Sequence, residues 1–320
     1  MATTLVFLPP MTDKHRTWAD RLATELPGLD VVVAEDDAAA RDAMQPADAA
    51  FGTLTPALLS AAEKLRWLQA PLAAPPVGYY FPELISHGVV VTNLRGPYTE
   101  QVATHATAFV LALARGFQRH LPRQMEGVWR QDRSPETVIH LPGATLLLVG
   151  VGAVGDLIAT QCRAFGMRIV GVDARLTEHP DMEIHGPDAL DEMLPGADVV
   201  VLTVPHTPKT EGMMNADRFR LMKKSAVFVN IGRGGTVRLA DLVDALEAGE
   251  LAGAALDVFE VEPLPENHPL WTAPNVLLTP HVAVAGPFFE ERQYEIIADN
   301  VRRFLAGKEL RNLVDKAEWY

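Results

Sequence analysis

LLLVGVGAVGDLIATQCRAFGMRIVGVD, Leu146 to Asp173, is the stretch whose reading decides the fold. An apolar run of strand length ends at Gly150, a helix-forming run reaches Gly166, and a second apolar run ends at Asp173. Between the first strand and the helix, Gly150, Gly152 and Gly155 stand at G-x-G-x-x-G spacing. Glycines placed this way permit a tight turn, let backbone N–H groups approach a pyrophosphate, and bring helix and strand close together. The helix N-terminus adds a partial positive charge that favours phosphate. The spacing alone would describe only a tight turn, but the two flanking strands supply the context in which it binds a dinucleotide. Gly150, Gly152, Ala153, Val154 and Gly155 are therefore expected to line a cofactor site.

Asp173, at the end of the second strand, can accept hydrogen bonds from ribose hydroxyls and would repel a 2′-phosphate. NAD is expected, with NADP kept open by Arg175, whose guanidinium is two residues away and suits a phosphate. Cys162 falls in step with Leu157, Ile158 and Phe165, the spacing of a buried helix face, and is read as a packed thiol rather than a redox group.

Outward from this unit, strand-length apolar runs alternate with amphipathic helical runs, the signature of parallel sheets covered on both faces. Strands are predicted at TLVFL, LDVVV, DAAFG, LRWLQ and GVVVT in the first third, and at TLLLVG, RIVGVD, DVVVLTV, AVFVNI, GAALDV and NVLLTP later. A single long helical stretch is predicted from Thr99 to Val128, and a C-terminal helix from Pro287 to Ala306 that crosses back to the first domain. The polar segment RQDRSPETVIHLPGA, broken by Pro135 and Pro142, reads as a connector. The fold class is α/β, with two doubly wound parallel-sheet domains, because 320 residues exceed what one core usually serves.

Composition narrows the partners. The 28 Lys and Arg against 41 Asp and Glu leave a net charge of -13, which repels nucleic acid and anionic membranes. Cys162 is the only cysteine, so no intramolecular disulfide can form and a reducing, cytoplasmic setting is expected. The N-terminus MATTLVFLPP has no basic segment before its apolar run, and QVATHATAFVLALA is too short and polar to span a bilayer. No metal site is expected.

A second motif, NIGRGGTV from Asn230 to Val237, sets an arginine among glycines directly after a buried strand. The carboxyl ends of strands in a doubly wound sheet face the ligand crevice, so Arg233 reads as a ligand-facing cation whose planar fork suits a carboxylate. A capping or surface arginine is the plainer alternative. Downstream, Glu262 and His281 lie in loops, His281 again just past a strand. Reduction of a 2-oxo acid needs an acid at the carbonyl oxygen while hydride reaches the carbon. His281 is the candidate acid, Glu262 the carboxylate that would favour its protonated form, and Arg233 the anchor for the substrate carboxylate. Singly, Glu262 reads equally as a solvated loop acid and His281 as a turn histidine. His105, inside the long helix, and His206 and His268, in proline-rich loops, rank below His281 because none follows a strand in the same way.

The segments VGVGAVGDLIA, ADVVVLTVPHTPKTEGMMN, LMKKSAVFVNIGRGGTV, LADLVDALEAGELAGAALDVFEVEPLPENHPLW and NVLLTPHVA together resemble the D-isomer-specific 2-hydroxyacid dehydrogenases, over most of residues 140 to 285. The resemblance implies that Arg233, Glu262 and His281 match that family's catalytic Arg, Glu and His. It implies that Asp257 contacts the nicotinamide amide, and that Pro205, Thr210 and Ile231 line the cofactor cleft. It also implies a Rossmann dinucleotide-binding domain at 98–287 and a flavodoxin-like substrate domain at 1–97 and 288–320, closing over the ligand, with two subunits paired as a homodimer through the nucleotide domain.

Three departures bear on specificity. The family's glycine-containing substrate loop is replaced by APLAAPPVGYYFPEL, where Ala73 and Ala74 can still offer N–H groups to a carboxylate, but Pro75 and Pro76 cannot. Tyr79 and Tyr80 would shape the pocket, and Tyr98 and Trp129 are further aromatics within reach of it. The usual VAEHA reads VATHA, and AVAGPF follows His281. A non-catalytic NAD-dependent corepressor or sensor of the same fold remains the alternative reading; a formate dehydrogenase fits less well because of Glu262.

Overall fold

The computed structural model describes residues 2–76, 78–134 and 138–319. Val77 of the substrate loop and Pro135 of the connector lie outside them. The chain divides into two compact units, Met1–Pro97 with Gly286–Tyr320, and Tyr98–Ala285.

The first unit is built on β1 (Thr3–Phe7), β2 (Leu29–Val33), β3 (Ala49–Phe51), β4 (Trp67–Gln69) and β5 (Val90–Thr92), all parallel, in the order β2-β1-β3-β4-β5. The twofold side-chain period of a strand explains its two cores. Leu5 and Phe7 join Trp18, Phe51 and Trp67 on one face, while Val6 and Leu8 join Met44, Leu68 and Leu84 on the other. The C-terminal helix Phe289–Leu305 belongs to this unit. Its buried Asn300 donates to Gln69 Oε1 at 3.2 Å and accepts from the Arg311 N–H at 2.7 Å. The loop after β4 turns Tyr79 and Tyr80 into the apolar core, where the Tyr79 hydroxyl donates to the Gly52 carbonyl at 2.8 Å. Both rings are therefore packing groups rather than pocket walls.

The second unit carries β6 (Thr145–Val149), β7 (Arg168–Val172), β8 (Glu183–His185), β9 (Val199–Leu202), β10 (Val227–Asn230), β11 (Gly253–Leu256) and β12 (Val276–Leu278), in the parallel order β12-β11-β10-β9-β6-β7-β8. The strand order reverses between β6 and β9, the position at which doubly wound sheets open a ligand crevice. Strand residues alternate between two cores, Leu147, Val149, Val200 and Leu202 on one face and Leu146, Leu148, Val199 and Val201 on the other.

Three details differ from expectation. The long helix is two, Thr99–Ala114 and Phe117–Met125, because Gly116 takes a left-handed φ of 74° that ends the first. β8 has only three half-exposed or exposed residues, too short and polar to signal itself. Phe165 is 42 % exposed at the end of its helix, so the buried face is Gly155, Ile158, Ala159 and Cys162. Burial pushes the Cys162 thiol up to about 11, as a packed rather than reactive sulfur requires.

Candidate active site

Hydrogen bonds beyond the strand ends hold the carboxyl edge of the second sheet in register. The N–H groups of Gly150, Thr203, Ile231, Asp257 and Thr279 each donate to the neighbouring strand, at 2.8 to 3.2 Å. Every loop that follows therefore leaves from one fixed edge.

At the first of these loops, Gly150 has φ +97° and no room for a side chain, since a Cβ would sit 2.7 Å from Thr203 Oγ1. A Cβ on Gly155 would be driven into the Gly150 carbonyl oxygen, so this glycine is demanded by the helix lying on the strand. Gly152 differs: a Cβ there meets nothing within 4 Å. Protein packing leaves the space before it open, and it is the Ncap of the helix Ala153–Ala164, whose first N–H groups face outward. An open cradle at a helix N-terminus fits a pyrophosphate.

Asp173 stands beside this turn. Its Oδ2 accepts from the Val151 N–H at 2.7 Å, and its Oδ1 from Arg175 and Leu176 at 2.8 and 2.9 Å. Burial alone would raise this carboxyl; the N–H groups of Leu176, Val151 and Arg175 and the Arg175 charge outweigh it and hold it below the ordinary carboxylate range. Asp173 thus stays ionised and pins the glycine turn to the loop after β7. On the other side of the crevice, Thr210 closes its own loop by donating to the Pro205 carbonyl at 2.7 Å. Ile231 packs in the core beneath.

Arg233 follows β10. Asn230, fully buried at the strand end, accepts from the Gly232 N–H at 3.0 Å and donates to the Arg233 carbonyl at 3.2 Å. That folds the glycine loop back on the strand, and among the described residues the half-buried guanidinium has one acceptor, the Gly232 carbonyl at 2.7 Å. Gly234 admits no Cβ because Phe259 O and the Glu260 N–H occupy its place. The arginine loop is therefore pressed against the segment that leads to Glu262.

Glu262 and His281 meet. Glu262 Oε1 accepts from the Phe259 N–H at 2.9 Å, and Oε2 lies 2.6 Å from His281 Nδ1. The carboxylate accepts, so Nδ1 carries the proton and Nε2 is the nitrogen left for other chemistry. His281 itself sits at φ 54°, a left-handed conformation uncommon for a side-chain-bearing residue. Asp257, 1 % exposed, braces that turn: it accepts from Thr279 Oγ1 at 2.6 Å and from the Val282 and Ala283 N–H groups at 2.9 Å each. The residue expected to touch the coenzyme amide is thus already engaged by three donors. Thr279 and Asn230 were not singled out from sequence, although a polar side chain at a strand end beside a glycine or proline turn is the available signal.

In the first unit, Ala73 and Ala74 are half-buried, their N–H groups have no acceptor among the described residues, and Asn93 Nδ2 holds the Ala73 carbonyl at 2.7 Å. Trp129 is 89 % exposed. His268 caps a short helix by accepting from the Leu270 N–H at 3.1 Å, a structural duty. Among the described residues no group of three or more His, Cys, Asp or Glu could hold a metal ion, and no helix is long and apolar enough to cross a membrane.

Residues 107–283 match the family model described as D-isomer specific 2-hydroxyacid dehydrogenase, NAD binding domain. A glyoxylate reductase of Korarchaeum cryptofilum is 37 % identical over 238 residues, covering 73 % of this chain and 71 % of that one. A D-isomer specific 2-hydroxyacid dehydrogenase from Xanthobacter autotrophicus Py2, solved with NADPH and MES, superimposes with a TM-score of 0.85 at 29 % identity over 100 % of both chains. An NADPH-dependent glyoxylate/hydroxypyruvate reductase from Sinorhizobium meliloti, solved with NADP and sulfate, gives 0.82 at 25 % identity, covering 99 % of this chain and 100 % of that one.

Proposed function

The chain belongs to the D-isomer specific 2-hydroxyacid dehydrogenases, NAD(P)-dependent oxidoreductases, and we propose that it reduces a small 2-oxo acid of the glyoxylate or hydroxypyruvate kind to the D-2-hydroxy acid. The observation that carries this reading is the 2.6 Å bond between Glu262 and His281 Nδ1. It fixes an exposed imidazole through Nδ1 and leaves Nε2 as the nitrogen that can take up a proton and hand it to a carbonyl oxygen.

When bound, the reduced nicotinamide supplies the hydride that goes to the carbonyl carbon. His281 Nε2 gives its proton to the carbonyl oxygen as charge gathers there, while Glu262 holds the ring in place through Nδ1. Arg233 pairs with the substrate carboxylate through its planar fork and turns the carbonyl toward the acid. In the reverse direction His281 takes the hydroxyl proton. Ala73 and Ala74 offer their unpaired N–H groups as further anion donors from their own loop.

The residues at the crevice fit a dinucleotide by the open space at Gly152 and the close packing at Gly150 and Gly155. Gly150, Gly152, Ala153, Val154 and Gly155 would hold the pyrophosphate, Asp173 the ribose hydroxyls, and Pro205, Thr210 and Ile231 the far wall, with Arg175 beside the ribose. We assign a preference for NAD, because an ionised Asp173 repels a 2′-phosphate. The unit Tyr98–Ala285 would be the dinucleotide-binding domain and the other unit the substrate domain.

A second copy of the chain is the partner we propose. Phe117, Leu121 and Met125 form an exposed stripe at i, i+4 and i+8 on one helix, continued by exposed Val128 and Trp129. An apolar stripe of this length left to water marks an association surface.

The test is direct. Purified protein with NADH is offered glyoxylate, hydroxypyruvate, pyruvate and phenylpyruvate in turn, and loss of NADH absorbance is followed. Turnover of at least one acid is expected. Tight NADH binding without turnover of any, with NADPH equally silent, would favour the sensor instead.

A further inference from the structure

We propose that His105 is a positioning residue for this reaction, acting through Thr279 and Asp257 on the turn that carries His281; the proposal rests on the reading of His281 as the acid.

His105 projects from the helix Thr99–Ala114, and its Nε2 lies 2.9 Å from Thr279 Oγ1. The same Oγ1 lies 2.6 Å from Asp257 Oδ1. A hydroxyl has one proton, and two oxygens at that separation require it between them, because Asp257 is a carboxylate with acceptors only. Thr279 therefore donates to Asp257 and accepts from His105, so His105 Nε2 bears the proton of this bond. The direction of the chain is set: His105 to Thr279 to Asp257, with a longer His105–Asp257 approach of 3.9 Å.

Asp257 passes that constraint on. Its remaining contacts go to the N–H groups of Val282 and Ala283, the two residues after His281. The turn begins at Thr279, whose carbonyl accepts from the His281 N–H at 3.0 Å. His281 is thus clamped on both sides in its left-handed conformation by one buried carboxylate. Without a donor at His105, Thr279 Oγ1 keeps its bond to Asp257 but loses the contact that fixes it from the helix side, so that bond and the direction of His281 Nε2 are less well defined. The His105 ring is itself locked edge-on against Phe109, with centroids 4.6 Å apart at 83°. This gives a helix histidine that no catalytic step uses a definite task.

The experiment uses the whole protein with saturating NADH. His105→Phe retains a flat ring against Phe109 and loses the donor; His105→Gln restores an N–H. In His105→Phe, kcat is expected to fall about tenfold, as loss of acid alignment requires, with the NADH dissociation constant within about twofold of wild type. Amide exchange at Val282 and Ala283 should quicken in the same variant. His105→Gln should recover most of both. Thr279→Val breaks the same chain without touching the helix, and adding His105→Phe to it should cost nothing further. Unchanged kcat and amide exchange in His105→Phe would overturn the proposal. So would a loss of NADH binding and fold stability that His105→Gln does not repair, or additive effects in the double variant. If the wild type reduces no 2-oxo acid, the catalytic reading fails by that result, while amide exchange still decides the clamp.

Discussion

Glu262 and His281 lie 19 residues apart in the chain and meet at 2.6 Å, carboxylate oxygen to Nδ1, across two loops at the carboxyl edge of one sheet. Removing the charge but not the shape isolates what this bond does. Glu262→Gln is expected to lower kcat by about 10–100-fold, the cost of losing an outer partner that orients a functional imidazole, with NADH affinity little changed. Steady-state kinetics beside a binding titration checks it, and equal losses in both would mean that Glu262 only holds the loop together.

The three glycines of the nucleotide turn should behave differently. Gly155→Ala forces a Cβ into the Gly150 carbonyl and is expected to destabilise the fold by about 1–3 kcal/mol. Gly152→Ala meets no protein atom within 4 Å, so its melting temperature should stay near wild type while coenzyme affinity falls. Calorimetry and NADH titration separate the two. A Gly152→Ala protein that binds NADH as well as wild type would remove this cradle from the cofactor site.

Asp173 is expected to bear on both coenzyme choice and stability in acid. Asp173→Asn should narrow the gap between NADH and NADPH in kcat/KM, by removing the charge that repels a 2′-phosphate. Because the folded carboxyl is held below its unfolded value, its contribution to stability is present above the unfolded value and lost as pH falls through the folded one. The carboxylate is partly exposed, so about 1 kcal/mol or less is expected after solvent screening. Urea unfolding of wild type and Asp173→Asn should therefore differ at neutral pH and converge in acid. A gap that widens in acid would contradict the assignment.

Cys162 should be inert. Its thiol is buried and pushed up to about 11, so iodoacetamide at about pH 8 should label it only after denaturation. Rapid labelling of the native protein would show that the helix face is open.

Much of this was legible because strand and turn chemistry are local. The runs around Leu146 to Asp173 reported both flanking strands and the turn, since apolar period and glycine spacing follow from neighbours in sequence. Glu262 and His281 were legible as candidate partners, but the 2.6 Å contact itself was not, because it depends on how the loops after β11 and β12 fold. Gly116 hid the break in the long helix: glycine is tolerated inside a helical pattern, and only its left-handed φ of 74° ends the first segment. Tyr79 and Tyr80 looked like pocket walls in a proline-rich loop, yet the Gly52 carbonyl accepts from the Tyr79 hydroxyl and draws that ring inward. His105 ranked low because nothing along its helix shows that Thr279, 174 residues away, stands beside it.

Single-turnover transfer from bound NADH to a 2-oxo acid in His281→Ala probes the proton donor most directly. The expected result is unimpaired NADH binding with the rate of NADH loss reduced by about 10²–10⁴-fold, the share that a positioned acid contributes. A variant that binds NADH normally and turns over at the wild-type rate would contradict the assignment of His281 as the acid.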